Sequence, residues 1–145
     1  MFKFPQRPIH EAPIAGVLPW VQWFTQIVNY FKVEAPTAPT LNGTWANFGG
    51  SYQTVEYWKD NATGMVHIQG LIKNSGAPAA GSVIFTLPEG YRPPATMLFT
   101  VGTATTSISR TMGRCDINSA GQVTYQTGYY AYYFELNGIS FRTYE

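Results

Sequence analysis

From Thr40 to the end of the chain, apolar and polar residues alternate in short runs, and a turn signal interrupts nearly every run. That pattern constrains the fold more than any other feature, because alternate residues of a strand face opposite sides of a sheet. The candidate strands are 43–48, 52–59, 65–73, 82–87, 95–101, 107–117, 122–127, 129–136 and 139–144. Between them stand Gly49-Gly50, Asn61 to Gly64, Asn74 to Gly81, Pro88 to Pro94, Gly102 to Thr106, Asn118 to Gly121 and Asn137-Gly138. Asn-Gly between apolar runs is the strongest short hairpin signal, and it predicts a type I′ turn at Asn137-Gly138. Short strands at this spacing describe an all-β fold, an antiparallel sandwich or jelly-roll-like knob. The alternation places Val66 and Ile68 opposite His67, Gln69 and Leu71. It also brings Phe134 and Leu136 against Ile139 and Phe141 in the last hairpin.

The first 39 residues differ in kind. They hold six of the ten prolines. Residues 1–17, with Pro5, Pro8 and Pro13, read as an extended arm, since proline offers no ladder donor. Residues 19–32 read as a helix entered at Pro19, where a missing N–H costs nothing. Trp20, Phe24, Ile27 and Phe31 recur at helical spacing and form an aromatic stripe that needs cover. The stripe can pack on the β-domain or on copies of itself. The Pro-spaced linker 34–40 favours the second arrangement by holding the helix off the domain. The chain therefore divides into residues 1–39, arm, helix and linker, and residues 40–145, the knob.

Composition narrows the function. Only 12% of the 145 residues are charged, and the net charge is +1, which gives no field to attract nucleic acid or anionic membranes. Arg110, Arg114 and Arg142 are scattered. No apolar run is long enough to span a bilayer, and the N-terminus lacks the apolar core of a secretion signal. One cysteine and two histidines leave no metal site of familiar type, and no cofactor motif is present. Cys115 sits inside a candidate strand and reads as buried and inert. His67 points away from the core, and the eight acids form no shared cleft, so the chain reads as a non-enzyme.

The best binding signal is a tyrosine cluster: Tyr125, Tyr129, Tyr130, Tyr132 and Tyr133. Across 129–133 both faces of one strand would carry tyrosine, so one face fills the core and the other is exposed or meets a neighbouring chain. Tyrosine couples a rigid ring to a hydroxyl, which suits saccharide or protein surfaces. Tyr125, Tyr129, Tyr130 and Tyr133, with Asn118 and Gln126 as polar partners, are the candidate ligand residues.

Four segments resemble the C-terminal head or knob domains of tailed-bacteriophage tail fibres and receptor-binding proteins. They are LNGTWANFGGSYQTVEYWKDNATGMVHIQGLIKN (41–74), GSVIFTLPEGYRPPATMLFTV (81–101), RCDINSAGQVTY (114–125) and FELNGISFRTY (134–144). The most specific piece is Leu87-Pro88-x-Gly90-Tyr91-Arg92-Pro93. The resemblance implies a virion-surface protein, assembled in the host cytoplasm, that forms a homotrimer and attaches to a host glycan or protein. Residues 1–33 would then dock on capsid, portal or tail, and Trp20, Phe24, Ile27 and Phe31 would form the oligomer interface. With 39 residues of this sequence before the knob, a long shaft is not expected. A head-fibre or decoration protein with a mainly structural role is therefore a second reading, and a carbohydrate-active enzyme a third.

Overall fold

The computed structural model describes residues 17–143. The arm expected over 1–17 lies outside them, apart from Val17, which opens the helix α1 (Val17–Phe31). Pro19 falls in the first turn, where backbone N–H groups have no intrahelical acceptor. The helix carries two neighbouring apolar faces. Val21, Phe24, Val28 and Phe31 are 53–66% exposed and follow the alternating three- and four-residue spacing of a heptad seam. Trp20 and Ile27 are half-buried on the adjoining face. The expected stripe of Trp20, Phe24, Ile27 and Phe31 thus spans two faces, and the open one substitutes Val21 and Val28 for Trp20 and Ile27.

The linker corrects a second expectation. Val33 and Thr37 form antiparallel bridges to Asp60 and Tyr57. The Thr37 and Tyr57 N–H groups donate to each other's carbonyls at 2.8 and 2.9 Å, and Glu34 N–H donates to Lys59 O at 3.1 Å. Residues 33–37 are therefore an added edge of the β-domain rather than a free-standing spacer. An edge tolerates prolines, because only one side of it is paired. The division at Thr40 separates compositions, not contacts.

Ten strands follow: β1 (Trp45–Asn47), β2 (Glu56–Asp60), β3 (Met65–Gln69), β4 (Leu71–Asn74), β5 (Ser82–Thr86), β6 (Met97–Ala104), β7 (Thr111–Ile117), β8 (Gln122–Thr127), β9 (Tyr133–Glu135) and β10 (Ile139–Arg142). They form an antiparallel sheet of order β1-β4-β9-β6-β7-β8-β5 and a smaller one of order β10-β3-β2. The all-β sandwich expected from the alternation is the observed fold. Its core holds Ile72, Ile84, Phe85, Leu87, Ile117, Val123 and Phe134 of the larger sheet and its edges, facing Val66, Ile68, Ile139 and Phe141 of the smaller.

Two crossings join the sheets side by side. β3 pairs with β10, and β4 pairs with β9, so residues 65–74 and 133–142 make one bent ribbon through both sheets. The bend is at Gly70, whose φ is +131°, and a Cβ there would lie 2.5 Å from the Val55 Cα. Gly70 N–H donates to Asn137 Oδ1 at 2.8 Å, and Leu136 N–H donates to Gly70 O at 2.9 Å. Asn137-Gly138 is therefore a link between sheets, not a type I′ hairpin. Gly138 has φ +83°, but no residue other than glycine has a positive φ among those described, and type I′ requires one at Asn137. The bend also reverses the parity of Leu71, which is buried instead of sharing the face of His67.

Two other expected strands are shorter. Residues 105–110 form a loop, with Ile108 94% exposed at its tip. Residues 128–132 are irregular, because Gly128 takes φ +118° as it passes Gly113 and Thr103. Only Tyr133–Glu135 of that segment is strand, so tyrosines 129–132 do not alternate across a sheet.

Candidate functional site: an aromatic groove beyond the sheet crossings

The chain turns sharply at Phe48-Gly49-Gly50-Ser51-Tyr52. Gly49 and Gly50 take φ +91° and +65°, which side chains with a Cβ rarely adopt. The turn folds Tyr52 edge-on to Phe48, with ring centroids 4.9 Å apart. Tyr132 meets the Phe48 ring at 5.5 Å, and Tyr133 lies 5.9 Å from Tyr132. Four rings, three from two loops and Tyr133 from the start of β9, thus share one wall, and the Lys73 ammonium lies 5.6 Å from the Phe48 centroid.

Polar groups line the rest. Arg110 Nη2 donates to Glu135 Oε2 at 2.9 Å, and Asn137 Nδ2 donates to Glu135 Oε1 at 3.2 Å. Gln53 Nε2 donates to Glu56 Oε2 at 3.0 Å. Together Phe48, Tyr52, Gln53, Tyr132, Tyr133 and the Arg110–Glu135–Asn137 set enclose a groove of 330 Å³, floored in part by Leu71. Half-exposed rings next to paired hydrogen-bonding groups are the usual make-up of a small-ligand site.

The groove has a definite place. The linker bridges show that the helix ends beside Asp60, and Tyr30 Oη donates to Ala62 O in the β2–β3 turn. Gln53, Gly70 and Asn137 lie at the opposite ends of β2, β3 and β10. The groove therefore opens away from α1. A larger depression of 530 Å³ lies between residues 38–40 and 86–88. It holds a single aromatic ring, Tyr57, which is packed edge-on against Tyr91.

Of the six ligand residues expected from sequence, only Tyr133 lines the groove. Tyr125 is a core residue, 7% exposed, its hydroxyl donating to Gly128 O at 2.6 Å. Burial raises its pKa, with a smaller contribution from Tyr130. Tyr130 packs edge-on to Tyr125, and its carbonyl accepts from Asn74 N–H. Tyr129 is exposed outside the groove. Gln126 is bonded to Thr124 Oγ1. Asn118 holds its own turn, accepting from Ala120 and Gln122 N–H and donating to the Gln122 side chain. That turn packs on Leu87 and Arg92, on the linker side of the domain. Sequence reasoning missed Phe48, Tyr52, Arg110, Glu135 and Asn137. The signal for the first two was an aromatic on each side of Gly-Gly. Nothing local marks the others, because the sheet crossings bring them together.

Cys115 and His67 are both engaged in the fold. The Cys115 thiol is wholly buried, and burial, reinforced by Asp116, pushes it up to about 12. His67 stacks on Trp58 at 5.2 Å and shares a 2.9 Å hydrogen bond with Ser140 Oγ. Among the described residues no cluster of His, Cys, Asp and Glu could hold a metal, and no helix is long and apolar enough to cross a membrane.

No protein-family model matches the sequence, and no curated protein matches it. Among solved structures, the receptor binding protein (gp15) of Listeria phage PSA superposes with a TM-score of 0.65 at 14% identity, over 93% of this chain and 82% of that one. The chain shares the fold of that phage protein. The superposition extends beyond residues 40–145, which alone are too few to supply 93% of the chain. At this identity the likeness concerns the backbone, and the groove residues stand on their own geometry.

Proposed function

We propose that this chain is a bacteriophage virion protein whose β-domain attaches to the host surface, with the aromatic groove as its contact site and a saccharide as its ligand. The carrying observation is the groove itself: four clustered rings beside Arg110, Glu135 and Asn137, at the end remote from the stem helix. A pyranose ring presents an apolar face that stacks on tyrosine and hydroxyls that pair with planar polar side chains. The shared fold supports the attachment role. In this reading the chain acts as a homotrimer, with residues 1–33 directed to capsid, portal or tail. The seam of Val21, Phe24, Val28 and Phe31 supports self-association, since a lone helix of this length is marginal and these side chains are 53–66% exposed. Three copies would raise a weak single-site affinity by avidity.

The test is adsorption of the purified full chain to host cells and to a glycan array, with Tyr132→Ala compared against wild type. Loss of adsorption with an unchanged melting curve supports the reading. Undiminished adsorption by a folded Tyr132→Ala, Phe48→Ala double variant overturns the groove. Light scattering on the full chain reads the trimer, which Phe24→Glu would dissociate.

A further inference from the structure

Glu135 and Arg110 form an ion pair that lines the groove, and the neighbouring strand is shaped to receive it. Gly102 lies in the middle of β6 with an ordinary φ, so no backbone requirement explains a glycine there. A Cβ at Gly102 would stand 2.4 Å from Glu135 Oε2 and 3.2 and 3.3 Å from Arg110 Nη2 and Nε. A glycine inside a strand weakens it. Here the missing side chain leaves the space in which guanidinium and carboxylate lie flat across the sheet.

The pair also sets the charge of the groove. Among the described residues, Arg110 and Glu135 are its only charged lining residues. At the rim, Lys73 over Phe48 and Glu56 against Gln53 are again one of each sign. A cleft lined by one sign focuses field and gathers counter-ions; a balanced one does not. The remaining N–H groups of Arg110 and the free lone pairs of Glu135 and Asn137 still offer directed donors and acceptors.

Resting on the groove as the host-contact site, we infer that it is built for an uncharged, hydroxyl-rich ligand, and that Glu135 is the residue that excludes anionic surface polymers. Glu135 neutralises the one guanidinium that would otherwise recruit phosphate, sulfate or carboxylate, and its own charge repels them. Discrimination of this kind comes from a repulsive element built against the wrong ligand.

The test uses the full chain at physiological salt on immobilised inorganic polyphosphate, dextran sulfate and poly-lysine, beside an array of neutral oligosaccharides. Wild type is expected to show no groove-dependent retention on either polyanion. Glu135→Gln, which keeps the shape and the Asn137 contact, is expected to gain tenfold or more on both, and a second change, Arg110→Gln, to cancel the gain. Arg110→Gln alone, at a side chain 72% exposed, is expected to gain retention on poly-lysine, so the charge assignment is readable even if Glu135→Gln fails to fold. The inference is overturned if Glu135→Gln gains nothing on polyanions, or if wild-type retention on polyphosphate is already lost in Arg110→Gln. Failure of the attachment reading looks different: no array signal of any charge falls in Tyr132→Ala.

Discussion

The two ends of the β-domain use the same residue types for opposite purposes. On the linker side, around the Leu87-to-Pro93 corner, three polar tips are turned inward. Lys59, 5% exposed, donates to Gly90 O at 3.0 Å, Arg92 Nε donates to Leu87 O at 3.1 Å, and the Tyr91 hydroxyl donates to the Glu34 carboxylate of the linker. At the groove end, tyrosines and an arginine keep ring faces and N–H groups open to solvent. The corner that is most recognisable in sequence is scaffold, and it clamps the linker to the knob. The surface able to meet another molecule is made from loops with no comparable motif. A shared fold predicts the first kind of residue and leaves the second kind free to vary.

The sharpest way to break this contrast is at the hinge that both ends depend on. Gly70→Ala adds backbone strain of roughly 1–3 kcal/mol and overpacking of about the same size, because the new methyl meets the Val55 backbone. The expected outcome is loss of the cooperative thermal transition, or a melting point lowered by well over ten degrees, with groove and linker lost together. Calorimetry checks it, and separate transitions for the two ends would contradict the single framework.

Next in size is the clamp. Tyr91→Phe removes one hydrogen bond to Glu34, which is worth about 1 kcal/mol. Protease cleavage within 34–40 should quicken while groove binding is unchanged. This site also carries a pH signature. Burial, then Glu34, holds the Tyr91 hydroxyl up to about 12, against about 10 when unfolded. The folded chain keeps its proton longer, so the contribution is complete below pH ~10 and is lost as pH rises towards ~12. Denaturant titrations at stepped alkaline pH should show a shallower decline in Tyr91→Phe than in wild type.

Much of the fold behind this contrast is legible in the sequence. Period-2 alternation located nearly every strand and the facing pairs Val66/Ile68 and Ile139/Phe141, because burial on one face is a local pattern. The bend at Gly70 was not legible, since its cause is a close approach by Val55, fifteen residues away in the chain. The linker's pairing was hidden for the same reason, as prolines signal stiffness but not which edge they lie on. In the groove, Tyr133 was visible within a tyrosine-rich run. Arg110, Glu135 and Asn137 are ordinary loop and strand-end residues until the crossings assemble them.

The smallest expected effects separate members of that run. Tyr132→Ala should lower adsorption on the order of tenfold, since one aromatic contact is worth about 0.5–1.5 kcal/mol and several copies multiply it. Tyr129→Ala, at a ring exposed outside the groove, should change adsorption and stability by no more than about 0.5 kcal/mol. Equal losses in the two variants, read in one adsorption assay, would move the contact surface off the groove.

The added edge formed by residues 33–37 has a mechanical meaning. In the proposed attachment, with the particle on the helix and the host at the groove, tension would pull the linker out along the axis of β2. Tension in that direction slides the two strands past one another instead of peeling them apart. The Glu34 and Thr37 backbone bonds and the Tyr91–Glu34 contact then bear the load simultaneously. Peeling from one end would strain them one at a time, at a much lower force. Pro36, between these bonds, keeps the loaded segment straight, so little slack is taken up before the pull reaches the sheet.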